Sequence, residues 1–546
     1  MALLIFAAEH LAILLLVLLC AAGMGAIVSR SRFTLPLRSA LGLAVWGEAL
    51  FLLAGIGQLK AVPVAVLAIV TGVVGCRLSV LNFPRQLTTD NRLLVLGALF
   101  ALVFLLALLP PLAFDETLYH LPTVRALAAS GRLRFVPDLR FPVFPQLQEL
   151  LSVPLYLLAG DVATHLLALA EMTITAALLI DWGKRHGARS GWLAAAFLLG
   201  SPIVLHLATV TYVDAALTLF VTAGFYALDR EEPALSGFFF GAACSVKYHG
   251  GYFAVIALVI MLVRQHGRAA ARFAATCAAA ALPTTLWLLI ATGNPVYPFF
   301  DSRVTAPRLL SFTPPFRVLW DVTFARARVS FAPPITPLLI PAVLLVFAAA
   351  IRDRRARWVV LICGGYLAIF SFLPQDSRYL VPLLPLAGIT AAATVTARWP
   401  RVAAWLFWIA IAPGFLYAAY RIRVNGLPPA TPAAREELLA RRIPEYRAVT
   451  HAGTGTIYVC GGEQLKYYAK GTLLGDFFGP YAYRHVLAGA SDTASIAQSL
   501  RRIHAEYFLV ATRVCAPPHA NGGMDLVYAD ATAQLWRVQG SSPNLR

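Results

Sequence analysis

The feature that most constrains this chain is the recurrence of apolar runs close to the ~20 residues that a helix needs to cross a bilayer. Short loops carrying arginines separate them. The run from Leu93 to Ala113 leads straight into two adjacent carboxylates, in Phe114-Asp115-Glu116-Thr117-Leu118-Tyr119-His120. Taking a carboxylate from water into hydrocarbon is costly, so acids at the lip of a span either face water or are used. Composition supports the membrane reading: 59% of the 546 residues are hydrophobic and 13% are charged, where a soluble domain carries about 25% charged residues. The N-terminal segment lacks a basic n-region and a small-residue cleavage site, so Leu11 to Val28 reads as a retained first span.

A window of ~19 residues predicts an α-helical polytopic membrane protein of about fourteen spans. They fall near 9–28, 39–59, 62–80, 93–113, 162–181, 191–209, 212–228, 234–247, 250–264, 273–291, 334–351, 358–373, 378–396 and 402–420. The short pair 234–247 and 250–264 reads as bent helices meeting at Lys247-Tyr248-His249-Gly250-Gly251. Short loops on one side carry Arg30, Arg32 and Arg38, then Arg77, Arg85 and Arg92, and further on Lys184, Arg264, Arg352 and Arg398. By the positive-inside rule that side is cytoplasmic. The long loops 114–161 and 292–333 and both chain ends are then external. The net charge of +18 is mostly this topology signal, and its scatter over separate loops argues against a nucleic-acid partner.

After Tyr420 the long apolar runs cease. Thr456 to Cys460, Tyr507 to Val510 and Ala531 to Val538 read as strands and Ala494 to Glu506 as a helix, a small external α/β domain over 421–546. Pro428, Pro429 and Pro432 mark the linker. Residues 1–92 form additional N-terminal spans ahead of a membrane module over 93–420. Cys20, Cys76, Cys244, Cys277 and Cys363 lie in apolar runs, where thiols pack inertly; Cys460 and Cys515 are the pair that could meet outside the membrane.

In the first long loop, Leu121 to Ala129 and Gln146 to Leu158 are predicted as short helices in the membrane interface. A further acid, Asp214, opens a span in Thr211-Tyr212-Val213-Asp214 and shares a leaflet with Asp115 and Glu116. Each of these residues also has a plain structural reading. Acids cap helices, Lys247 and His249 snorkel, Arg378 anchors the interface or pairs with Asp376, His120 hydrogen-bonds, Tyr379 and Trp320 are interface aromatics, and Asn294-Pro295 makes a rigid turn.

Taken in order and by side, these residues resemble the GT-C class of membrane glycosyltransferases. Within it, the chain is most similar to the bacterial protein O-mannosyltransferase and aminoarabinose-transferase superfamily. Further matches are Gly293-Asn294-Pro295-Val296-Tyr297-Pro298, Ser377-Arg378-Tyr379-Leu380-Val381-Pro382 and Leu474-Gly475-Asp476-Phe477-Phe478-Gly479-Pro480-Tyr481. The likeness covers roughly residues 93 to 510, and the first three spans lie outside the usual pattern.

The resemblance implies a sugar donor on a polyprenyl phosphate and an acceptor reached from outside the bacterial inner membrane: an envelope glycan, a lipid or a protein. Asp115 matches the family's base position, with Glu116 beside it in the catalytic pair. Arg378, then Lys247, are the candidates for the leaving phosphate. His120, His249 and Tyr379 join the substrate-binding set. Glu116 and Asp214 would position the acceptor or orient Asp115; alternatively Asp115 and Asp214 would hold a divalent cation, Mg or Mn, facing the phosphate. A polytopic transporter or an envelope-assembly protein without transferase activity is the competing expectation. A transporter should show broken helices near the bilayer midplane in both halves, whereas these acids sit at the lip.

Overall fold

The computed structural model describes residues 1–29, 32–81, 91–264, 266–300, 312–325, 328–329, 333–373, 375–479, 485–519 and 522–540. Arg30, Arg85, Pro480, Tyr481, the side chain of Cys76 and parts of the loop 292–333 lie outside the described residues. The chain is mostly helical, with one small sheet near its C-terminal end.

Among the described residues six helices are long and apolar enough to cross a membrane: Ala2–Ser29, Leu35–Gly55, Asp161–Gly183, Gly267–Thr292, Ser377–Arg398 and Pro400–Asn425. Shorter apolar helices accompany them, among them Asn91–Ala107, Pro233–Val246, His249–Val263 and Leu339–Arg352. Lipid drives helices together less than water does, so close backbone approach matters more. A Cβ on Gly42 would lie 1.7 Å from the Ala21 carbonyl oxygen, and one on Gly23 would lie 1.8 Å from that of Thr71. These glycines let the first three helices pack against one another.

Two predicted spans are shorter than their hydropathy suggests. The helix expected to run to Ala113 stops at Ala107, because Pro110 and Pro111 donate no backbone hydrogen bond. The segment 191–209 is two helices, Ala188–Leu199 and Pro202–Leu207. Ser201, the residue before Pro202, is pushed to extended geometry (φ −83, ψ 118). The bent pair does form, with Lys247 extended (φ −161, ψ 142) between Pro233–Val246 and His249–Val263. Both helices expected in the first long loop are present, as Leu121–Ser130 and Leu147–Ala159.

The C-terminal sheet has the strands β1 (Ile457–Cys460), β2 (Leu473–Gly475), β3 (Tyr507–Ala511), β4 (Met524–Ala529) and β5 (Ala533–Val538). Their order is β2-β1-β3-β5-β4: β1 runs parallel to β2 and β3, and β5 is antiparallel to β3 and β4. The helix Thr493–Arg502 packs on one face, and Asp492 opens it with a reciprocal capping box to Ser495. Cys460 and Cys515 are joined in a disulfide.

Candidate active site

The acid turn follows from its prolines. Once Pro110 and Pro111 have ended the helix, the chain re-enters a helical path at Phe114. It makes one π turn, Glu116–His120, in which the Leu121 N–H donates to the Glu116 carbonyl. Such turns recur at functional sites because they change the direction of the side chains on either side. Asp115 faces Arg378, whose Nη2 lies 2.6 Å from Oδ2. The Tyr119 hydroxyl donates to the same oxygen at 3.1 Å, and the Asp115 N–H donates to the Tyr212 hydroxyl at 3.1 Å.

Three other elements converge on this point. Asp214, at the first turn of Asp214–Asp229, accepts from Lys247 Nζ at 2.9 Å, while its second oxygen is buried without a hydrogen-bond partner among the described residues. Arg378 also lies 2.7 Å from Asp376, whose carboxylate accepts the Arg378 N–H and so starts the helical segment. Lys247 stands 4.2 Å from the Tyr379 ring centre, Arg378 stands 5.1 Å from that of Tyr212, and the His249 ring lies 4.4 Å from Tyr379. Neither ring nitrogen of His249 has a hydrogen-bond partner among the described residues. The structure therefore brings Asp115, Asp214, Lys247, His249, Arg378 and Tyr379 into one cluster.

Burial pushes the Asp115 carboxyl up, but the Arg378 guanidinium, helped by His120 and Lys247, more than offsets it. The carboxyl sits below the usual carboxylate range. Only about a sixth of the Asp115 side chain and less of the Arg378 side chain are exposed, at 17% and 13%. At that exposure the pair is poorly screened by salt.

Glu116 and His120 place their hydrogen bonds elsewhere. Glu116 is fully buried: Oε1 accepts from the Thr211 N–H at 2.7 Å and faces His165 Nε2 at 2.6 Å, and Oε2 accepts from the Ala113 N–H at 3.2 Å. His165 Nδ1 in turn caps the carbonyl of Ala107, the last residue of its helix. Burial raises the Glu116 carboxyl, and His165 with the backbone donors more than offsets that, leaving it lowered. His120 Nδ1 lies 2.5 Å from the buried Glu149. The hydrogen bonds of Glu116 go to His165 and the backbone and that of His120 goes to Glu149, so both tie packed elements together, while the His120 ring stays near enough to Asp115 to help lower its carboxyl. Among the described residues no group of three or more His, Cys, Asp or Glu side chains is gathered as for a metal ion.

Glu116→Gln is expected to cost about 3–5 kcal/mol, because it breaks a fully buried charged pair and sets an amide against donors. Thermal unfolding in detergent checks this, and an unchanged midpoint with lost transfer would return Glu116 to the chemistry. His165 and Glu149 escaped the sequence reading. Their signal was there, as ionisable residues inside apolar segments.

The fold is shared with a solved membrane protein of the GT-C type, and the chain is a multi-pass membrane protein. The solved structure of ArnT from Cupriavidus metallidurans bound to undecaprenyl phosphate matches with a TM-score of 0.56 and 15% identity, over 82% of this chain and 98% of that one. The same protein in its apo state matches with a TM-score of 0.54 and 16% identity, over 81% and 97%. At such identity the likeness is one of fold. A family model described as SF2091/S2213 matches residues 434–537. The Uncharacterized protein SF2093/S2215 of Shigella flexneri is 33% identical over 132 residues, or 23% of this chain. The chain spans 65% of that relative's length.

Proposed function

We propose that this chain is an inverting glycosyltransferase that moves a sugar from a polyprenyl phosphate to a hydroxyl of an envelope glycan, lipid or protein. In this reading the membrane module crosses the bacterial inner membrane about fourteen times, with the pocket and the C-terminal unit on the periplasmic side. The observation that carries it is the Arg378–Asp115 contact of 2.6 Å beside the Lys247–Asp214 pair, in a fold shared with a protein solved with undecaprenyl phosphate bound.

The chemistry follows from those groups. Asp115 takes the proton of the acceptor hydroxyl as its oxygen bonds to the anomeric carbon from the face opposite the phosphate. The bond from that carbon to the phosphate oxygen breaks, and the polyprenyl phosphate leaves with the electron pair. Arg378 and Lys247 meet the charge that grows there, the guanidinium with two parallel donors and the ammonium as a point charge. Arg378 is shared: as it turns to the phosphate it lets go of Asp115, whose carboxyl then rises toward the range useful to a base. Asp214 holds Lys247 in place, and Tyr379 and His249 line the sugar side.

Each carboxylate already faces a cationic side chain, so Asp115 and Asp214 make a poor donor set for a resident divalent cation, and no step is assigned to one. The expected result is transfer at the same rate in excess chelator as in magnesium, giving a product of inverted anomeric configuration by NMR. Retained configuration, or transfer abolished by chelator and restored by Mg or Mn, would overturn this mechanism.

A further inference from the structure

The C-terminal unit grips the acid turn directly. In the π turn the Leu121 N–H is committed to Glu116, so the next carbonyl, of Thr117, needs a donor. The residue that would reach it in that register is Pro122, which has no N–H. The donor comes from the other end of the chain: the Tyr467 N–H reaches the Thr117 carbonyl at 2.9 Å. Arg125 Nη1 then donates to the Tyr467 carbonyl at 2.8 Å, and the Tyr468 hydroxyl donates to the Pro111 carbonyl. Leu118, in the middle of the turn, is fully buried in the core of the C-terminal unit with Leu439, Ile443 and Leu465. Lys466, next to this clamp, is buried against Asp138 at 2.7 Å in the first long loop.

We propose that the C-terminal unit, through the Leu118 pocket and the Tyr467–Tyr468 clamp, holds the π register of this turn and thereby aims the Asp115 carboxylate at Arg378. Tyr467 and Tyr468 are thus positioning residues for the transfer proposed above, on which the inference rests. The lever is geometric. An α-helix advances about 100° per residue, so relaxing the turn by one residue to α register swings what precedes it by about that angle relative to the docked helix that follows. Asp115 lies on the swinging side. It is faced by Arg378 and Lys247, by His120, and by the Tyr119 and Tyr212 hydroxyls, and a swing parts it from the guanidinium while leaving it half-buried.

The test uses the full chain with Tyr468→Phe, which removes one hydroxyl, and Leu118→Ala, which opens the pocket. Amide exchange at residues 113–121 is expected to quicken by about tenfold or more in both, while β1 keeps its protection. In the transfer assay kcat falls by about tenfold, donor KM stays within about twofold, and the acid limb of the pH–rate profile moves up as Asp115 loses its cation. Unchanged exchange over 113–121, or a lower kcat with an unmoved acid limb, overturns the positioning role. Quickened exchange in a protein whose wild type transfers no sugar upholds the clamp and sinks the transferase reading alone.

Discussion

Asp115→Asn is expected to lower transfer by about 10²–10⁴-fold, the range a positioned general base supplies. Polyprenyl phosphate binding should survive and tighten, because the substitution removes the negative charge that holds Arg378 at 2.6 Å and frees the guanidinium for the phosphate. The neighbouring geometry should persist, since the Asp115 N–H still reaches the Tyr212 hydroxyl. Single-turnover rates together with lipid binding by the same preparation check this. Weaker phosphate binding in Asp115→Asn would mean that the carboxylate orients the arginine for the lipid instead of competing with it.

Arg378→Gln carries the second large effect, and it acts in two directions. Losing a preorganised cation at the leaving phosphate is expected to lower kcat/KM by about 10²–10³-fold. It also leaves Asp115 buried with less counter-charge. Arg378 is the largest influence holding that carboxyl down against burial, so the carboxyl rises in the variant. A base works only when deprotonated, so the acid limb of the pH–rate profile should move to higher pH, and raising the pH should recover part of the lost rate. Arg378→Lys keeps a charge but loses the fork and should fall between the two. A rate loss that is uniform across pH would contradict the pairing of Asp115 with Arg378 as the control on the base.

Much of this architecture is legible in the residues because hydropathy is a local property. The bent pair at Lys247 and both helices of the first long loop could be read from run lengths and prolines. Strands β1, β3 and β5 were equally plain. Strand β2 was not, since Leu473–Gly475 is three residues long and owes its existence to pairing with β1. The early stop at Ala107 had its signal in Pro110 and Pro111, but continuous apolarity masked it.

The site divides in the same way. Counting spans puts Asp115, Asp214, Lys247 and Arg378 on one expected side of the membrane, but their meeting depends on how the helices that carry them pack. Which acid faces which base does not follow, because Arg378 spans both Asp376 and Asp115. The role of Glu116 was the least legible. It depends on His165, 49 residues away, and on a π turn that sequence spacing cannot reveal. Adjacent acids look like a pair in sequence, yet here consecutive side chains serve different faces, Asp115 toward Arg378 and Glu116 toward His165.

Label loss from a panel of radiolabelled polyprenyl-phosphate sugars tests the transferase and its base together. Wild type and Asp115→Asn would be reconstituted in membranes together with crude envelope acceptors. Asp115 acting as the base of a polyprenyl-phosphate transferase predicts that one donor loses its sugar to an acceptor in the wild type and that the loss all but vanishes in Asp115→Asn at undiminished lipid binding. Equal loss in both proteins, or none from any donor with a folded wild type, would contradict it.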